Sequence, residues 1–380
     1  MNKNILSFTK MKNASDKPLR ITYFKNKYTV FSKTGWFITI IILLCVASLN
    51  VHSQITLNYS NFLVPPSATS SFQGAVTKGV AVPPAGANQT WDYKNLMNNS
   101  FYSIREFIPE INAAFPNSRR QIVASDYRFF AGFSTTIYQH ESNSNSALKF
   151  IGATTNRTAY SLAFKTGVST DSLILLSQNI FYGGSKIAIP YPCTYQSTWV
   201  LGEYIVYNMQ ISLASEKLDH ASFTFVSSTL NNRSIIGWGR MRVPVATNYI
   251  PCLMMKIQRT ETDSFYVNGL PADTAVLNVL DVMQGQVSHI YQYSFRRKGI
   301  EQDLMIFTMD SSYNKIQKII YDDKHDNIEC GKNAVTMCLN GQNVCKAYKN
   351  NEANHAMLNH GASIGNCTTT SFSALSLTKP

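Results

Sequence analysis

The sequence predicts an all-β protein: an antiparallel β-sandwich, one large or two in series, followed by a small disulfide-linked C-terminal module. Three observations carry that expectation. Short runs of β-branched and aromatic residues recur along the chain, often alternating with polar ones. Turn-forming clusters separate these runs at near-even spacing, as sandwiches require. Helical apolar periodicity is hard to find beyond residue 54. Of 380 residues 44% are hydrophobic, 12% aromatic and 15% charged. That supplies a large core and excludes wholesale disorder.

Residues 1–53 read as a signal peptide. Eight basic residues (Lys3, Lys10, Lys12, Lys17, Arg20, Lys25, Lys27 and Lys33) and one acid, Asp16, precede an apolar run from Trp36 to Ser48. A basic head, a short apolar stretch and a small residue, Ser53, at the cut are the parts of an export signal. An uncleaved signal-anchor is the alternative, although the run is short of the roughly 20 apolar residues a spanning helix needs. The segment holds seven of the twelve net positive charges. The +5 that remains is scattered in short pairs such as Arg119-Arg120 and Arg296-Arg297-Lys298, read as solvated strand ends rather than a phosphate track. Nucleic acid is therefore excluded as a partner, and the membrane enters only through the N-terminal segment.

The β region spans 54–325. Strands are expected at Phe101–Ile108, Tyr127–Phe133, Trp199–Tyr207, Ser222–Ser227, Leu253–Thr260, Val287–Phe295, Leu304–Thr308 and Ile316–Tyr321. Turns are expected at Pro65-Pro66, Asn143–Ser146, Gly183-Gly184, Asn231-Asn232 and Asn268-Gly269. After Tyr321 the chain becomes polar and then cysteine-rich, which delimits a module over 326–367 and a loose tail over 368–380.

Outside the signal there are six cysteines: Cys193, Cys252, Cys330, Cys338, Cys345 and Cys367. An even number in an exported chain points to disulfides, with 15 possible connectivities. Four fall in a segment too small for much of a core, and Cys193 and Cys252 are candidates to staple the β region. Cys338, Cys345, His355, His360 and Cys367 are the rival metal set, but they lack the tight Cys pair of a structural zinc site. Nothing in the sequence requires a metal or other cofactor.

No nucleophile elbow, metalloprotease helix, phosphate loop or dinucleotide fingerprint is present. Glu203, Glu261 and Asp263 are candidate carboxylates for glycoside hydrolysis, more readily explained as solvated strand positions. His140, His220 and His289 stand isolated. The sequence therefore favours a binding or structural role (adhesion, glycan binding or envelope structure, with a glycan or surface protein as partner) over a secreted hydrolase of glycans or esters. Among the aromatics, Trp238 is the candidate ligand-stacking ring, because Gly237 and Gly239 on either side leave it little cover.

Two phrases carry a resemblance. Gln54-Ile-Thr-Leu57, then Ala87-Asn-Gln-Thr-Trp-Asp-Tyr-Lys-Asn-Leu96, resembles the opening of secreted β proteins of Bacteroidetes-type bacteria. Gly237–Pro244 followed by Ile250–Lys256 resembles a hairpin of the same proteins. Such proteins are cell-surface or secreted cargo of the type nine secretion system, and the Tyr-Pro-Asn-Pro phrase of their sorting domain is not in this sequence. The stretch from Val335 to Cys367 resembles a small module of related exported proteins. It matches at Cys338, Gly341, His360, Gly361, Gly365 and Cys367, and departs at Leu339, Met357 and Ala362, where a cation-binding set would stand. The resemblance implies a Cys338–Cys367 disulfide, and O-glycans at Ser172 and Thr274 in the triplets Asp171-Ser172-Leu173 and Asp273-Thr274-Ala275.

Overall fold

The computed structural model describes residues 54–65, 68–130, 132–244, 246, 248–323, 334–339, 342–347 and 351–364. The proposed signal, Cys330, Cys367 and the tail lie outside the described residues. The chain is β-rich and mostly antiparallel, as expected. β1 (Ala68–Ala75), β2 (Gly86–Asp92), β3 (Asn98–Pro109), β4 (Arg120–Phe130), β5 (Phe133–Asn143) and β6 (Ala147–Thr155) come first. Shorter elements follow: β7 (Thr158–Ser161), helix α1 (Ala163–Thr166), β8 (Ser172–Leu175), β9 (Gln178–Phe181) and β10 (Ile187–Pro190). Three long strands form the centre: β11 (Thr198–Leu213), β12 (Leu218–Arg242) and β13 (Ile250–Val267). After them come β14 (Leu270–Pro271), helix α2 (Thr274–Leu280), β15 (Gln286–Arg297), β16 (Met305–Met309) and β17 (Ile316–Asp322).

Among the described residues, these seventeen strands pair into one continuous sheet. From β11 the ladder runs through β12, β13, β15, β16, β17, β1, β3, β4, β5 and β6 to β9. Just past β9, the Gly183 amide donates to the Tyr204 carbonyl of β11 at 3.0 Å and returns the ladder to its start. The strands therefore enclose an inner face.

Two of the core clusters share that face. Tyr207, Phe225 and Phe265 pack with Phe129 and Phe130 of β4, while Ile235, Leu253, Met255 and Ile257 pack with Ile55, Leu57 and Phe62. A third core, built on Trp91, Cys252, Met254, Phe295 and Phe307, takes the opposite side of β13 and β15. Period-two alternation makes this possible, since both faces of β13 are apolar at its start.

Some expected elements move. Tyr127–Phe133 is not one strand: the chain reverses after Phe130, with Gly132 at φ 91°. Asn231-Asn232 is not a turn, because both residues lie inside the 25-residue β12. Asn268-Gly269, by contrast, does turn, with positive φ at both residues, as a two-residue hairpin demands. Cys193 and Cys252 are free, buried thiols and do not staple the β region. They sit in different cores on opposite faces of the sheet, which keeps their sulfurs apart. Burial pushes the Cys193 thiol up to about 12.

A bulge in β12 between Ile235 and Gly237 reverses which residues face inward. Gly237 and Gly239 therefore look away from the inner face, toward β2, which pairs parallel with them. A Cβ at Gly237 would lie 3.1 Å from the Gly86 carbonyl, and one at Gly239 would collide with the Gln89 backbone. Gly239→Ala is expected to destabilise the fold by about 1–3 kcal/mol through overpacking. Gly202→Ala, where a Cβ meets only the Thr229 carbonyl at 4.0 Å, serves as the reference in thermal melts. Equal effects of the two substitutions would show that the close approach of β2 does not matter.

The C-terminal module comprises β18 (Ala334–Leu339), β19 (Gln342–Ala347), helix α3 (Glu352–His360) and β20 (Ser363–Ile364), with β18 between β19 and β20. Its core of Met337, Ala353, Ala356 and Met357 includes Leu63 of the β region. Asn354 Nδ2 donates to the Tyr59 carbonyl at 2.7 Å. Cys338 and Cys345 are not free thiols and do not titrate.

Candidate functional site

The long central strands place polar groups in the middle of an otherwise apolar inner face. Register aligns Glu203 of β11 with Thr229 of β12, and Thr229 with Glu261 of β13. The next row is Ile205, Ser227 and Asp263, and the row on the other side is Leu201, Asn231 and Arg259. These positions share the parity of Tyr207, Phe225 and Phe265, so all point inward. The expectation that Glu203, Glu261 and Asp263 are solvated, independent strand positions is thus corrected. Three neighbouring strands bring them together beneath the apolar core.

The hydrogen bonding of this belt is incomplete. Arg259 pairs with Glu261 at 2.7 Å, and the Ser227 hydroxyl donates to Glu261 at 2.9 Å. Arg233, one row further along β12, donates to the Ala188 carbonyl at 2.7 Å. Glu203 Oε1, Asn231 Oδ1, Asp263 Oδ1, Arg233 Nε and Arg259 Nε are buried without a partner. Asn231 is only 6% exposed and Asp263 only 8%. Unmatched polar atoms of this kind each cost about 1–3 kcal/mol. Five of the sixteen such atoms among the described residues fall on this face.

Electrostatics agrees with the geometry. Burial, then repulsion from Glu261, raises Asp263 to about 6. Burial also raises Glu203, against the pull of Arg259 and Arg233 and with Glu261 adding repulsion. Arg233 is lowered to about 10, by burial first and by Arg296 second. Tyr127, Tyr182 and Tyr207 lie close enough to feel the Glu203 charge, and burial raises all three hydroxyls. The Arg259 side chain is 35% exposed and that of Glu261 22%, so solvent reaches the belt.

Trp238 is not the exposed platform the sequence suggested. Its flanking glycines face β2, while the indole itself is half-buried against the core of Ile235, Leu253 and Met255. Trp199 packs on the same cluster and donates Nε1 to the Ala188 carbonyl at 3.2 Å. Ser172 lies in β8, flanked by β7 and β11. Thr274 is exposed at the start of α2, where the Asp273 carboxylate accepts the Val276 amide at 3.0 Å. His355 and His360, expected off-phase, bring their rings to 5.6 Å because His360 ends α3. Among the described residues no three His, Cys, Asp or Glu side chains are disposed to share a metal ion.

His140 is not isolated either. Its Nδ1 lies 2.5 Å from Glu110 Oε2 and its Nε2 2.8 Å from Thr154 Oγ1. Burial holds the imidazole below its ordinary range, against the pull of the Glu110 carboxylate, which accepts from Nδ1. This has the order of a catalytic relay, yet Thr154 Oγ1 also takes Asn112 Nδ2 at 2.9 Å and lies 3.0 Å from Asn179 Oδ1. Phe115 stacks on the imidazole with centroids 3.7 Å apart. The hydroxyl is fully engaged, and the array fastens loop 110–119 to β5 and β6.

Comparison with protein-family models, curated proteins and solved structures finds no match for this chain.

Proposed function

We propose that this chain is an exported glycan-binding protein whose ligand sits on the inner face of β11–β13. The observation that carries the reading is the set of unpartnered polar atoms on Glu203, Asn231, Asp263, Arg233 and Arg259. Carboxylates, an amide and guanidiniums are groups that grip sugar hydroxyls. Export follows from the basic-then-apolar N-terminus and from the resemblance to secreted cargo. An oxidising compartment also suits Cys338 and Cys345, with Cys338–Cys367 as the proposed frame of the small module.

Calorimetric titration against a panel of mono- and disaccharides tests this. Saturable binding is expected, weakened about tenfold or more by Glu203→Gln or Asn231→Ala, since one good hydrogen bond is about 1.4 kcal/mol. Trp238→Ala is expected to leave affinity unchanged. No binding across the panel, or variants that bind as the parent does, would refute the proposal. The carboxylate row also supports a second reading, glycoside hydrolysis. Turnover lost in Glu203→Gln or Glu261→Gln would establish it.

A further inference from the structure

We infer that the protein carries a second ligand surface, on the outer face of the sheet, where a neutral, extended polysaccharide lies across β11, β12, β13 and β15. This surface does not depend on the inner-face reading. Side chains alternate along each strand, so the neighbours of Glu203, Thr229 and Glu261 point outward. Register sets them in three rows. Gly202, Leu230, Thr260 and His289 form the middle row. The row from Val200 to Tyr291 flanks it on one side, and the row from Tyr204 to Val287 on the other. Further along β13 and β15 the same face carries the core of Trp91, Met254 and Phe295. Over the three rows it is bare: Val200 is 45% exposed, Tyr204 50%, Leu230 51% and Val287 53%.

The composition of this face selects the partner. No Asp, Glu, Lys or Arg stands at any of the twelve outward positions, four strands by three rows. Solvent-facing strands ordinarily rely on such charges to stay soluble and apart. An uncharged face fits an uncharged partner, because covering neutral groups costs far less than covering ions. Ser228, Asn232, Gln258, Thr260 and Thr262 put hydroxyls and amides on the two middle strands, and these both donate and accept, as sugar hydroxyls do. Aromatic rings stand on the two outer strands. His289 Nδ1 lies 3.2 Å from Thr260 Oγ1, and the imidazole stacks on Tyr291 at 6.2 Å with 27° between planes. Tyr313 meets Tyr291 edge-on at 5.5 Å and donates its hydroxyl to the Ile257 carbonyl at 2.6 Å, which braces the ridge. Tyr204 faces this ridge from β11, and such rings suit pyranose faces. Size argues against a second copy of the chain. Strands about 4.8 Å apart and alternate residues about 6.8 Å apart give a face of about 14 Å each way. That is about 200 Å², against about 800 Å² per partner for a stable protein interface.

Calorimetry with cellohexaose, xylohexaose and, as an anionic chain, hexagalacturonate tests the inference. At least one neutral hexaose is expected to bind, and hexagalacturonate is not. Leu230→Glu puts a charge at the centre of the face and is expected to weaken hexaose binding about tenfold or more. Tyr204→Ala is expected to cost about fivefold, the scale of one aromatic contact. Thermal melts confirm that both variants are folded. Binding of mono- and disaccharides on the inner face is expected to be unchanged in Leu230→Glu, so the two surfaces can fail separately. No binding of either neutral hexaose, or binding undiminished in both variants, would overturn the inference. So would equal binding of hexagalacturonate. Light scattering gives a further check: a dimer of the parent that Leu230→Glu splits into monomers would overturn it by placing a second copy on this face.

Discussion

Replacing Arg120 with methionine is expected to destabilise the protein by about 3–5 kcal/mol, the range for breaking a buried ion pair from one side. Arg120 has no solvent exposure. It reaches Glu141 at 2.6 Å, Glu301 at 2.7 Å and the Pro65 carbonyl at 3.0 Å, and its guanidinium carbon lies 3.9 Å above the Phe107 ring. One planar fork thus joins β3, β4, β5, the segment at Pro65 and the loop before β16. Without it, Glu141 and Glu301 face each other in a space water does not reach.

Arg120→Lys should fare little better, because an ammonium cannot span both carboxylates in one plane. The triple change Arg120→Met, Glu141→Leu, Glu301→Leu is expected to recover most of the loss, since removing every charge leaves none unpaired. Urea unfolding monitored by fluorescence reads all three. A loss below about 1 kcal/mol for Arg120→Met would show that the cluster does not lock these elements together.

How far the sequence foresaw this differs by feature. Six of the eight expected strands lie wholly within observed ones, from Phe101–Ile108 in β3 to Ile316–Tyr321 in β17, and a seventh, Leu304–Thr308, overshoots β16 by one residue. Alternation is local and survives folding. What failed were the readings of Arg119-Arg120 and His140 as residues without partners. Arg119-Arg120 read as a solvated strand end, yet Glu301 lies 181 residues from Arg120. Isolated in sequence, His140 finds Glu110, Thr154 and Phe115 only because β3, β5 and β6 converge on it.

The inner-face belt was partly legible. Glu203 shares parity with Ile205 and Tyr207, and Glu261 and Asp263 with Phe265, so acids stood in phase with apolar residues on two strands. That phase relation is the signal of a buried polar site. Asn231-Asn232 hid the third strand, because paired asparagines favour turns. The length of β12 overrode that preference, since ladders to β11 and β13 on both edges leave no room for a reversal. Trp238 misled for a related reason: glycines beside an aromatic predict an open ring only when no strand fills the space, and here β2 does.

Asp263→Asn is expected to stabilise the fold while removing part of the ligand's affinity. The Asp263 carboxyl is raised from 3.8 to about 6, by burial and then by Glu261. A carboxyl raised in the folded state opposes folding once it ionises. Below about pH 3.8 it is protonated folded and unfolded, and contributes nothing. As pH rises from there to about 6 the unfolded chain ionises first, so stability falls across that window and stays lower above it. At about 1.36 kcal/mol per pH unit the full penalty is about 3 kcal/mol, and solvent around Arg259 and Glu261 reduces the expected gain to about 1–2 kcal/mol. The variant and parent should therefore melt alike near pH 3.5 and diverge by pH 7, with the variant higher. A variant that is less stable at pH 7, or a difference independent of pH, would show that Asp263 is matched within the fold. If the divergence appears together with weakened sugar binding, the strain of holding an unpaired carboxylate has a use. Pairing with the ligand's donors then relieves that strain.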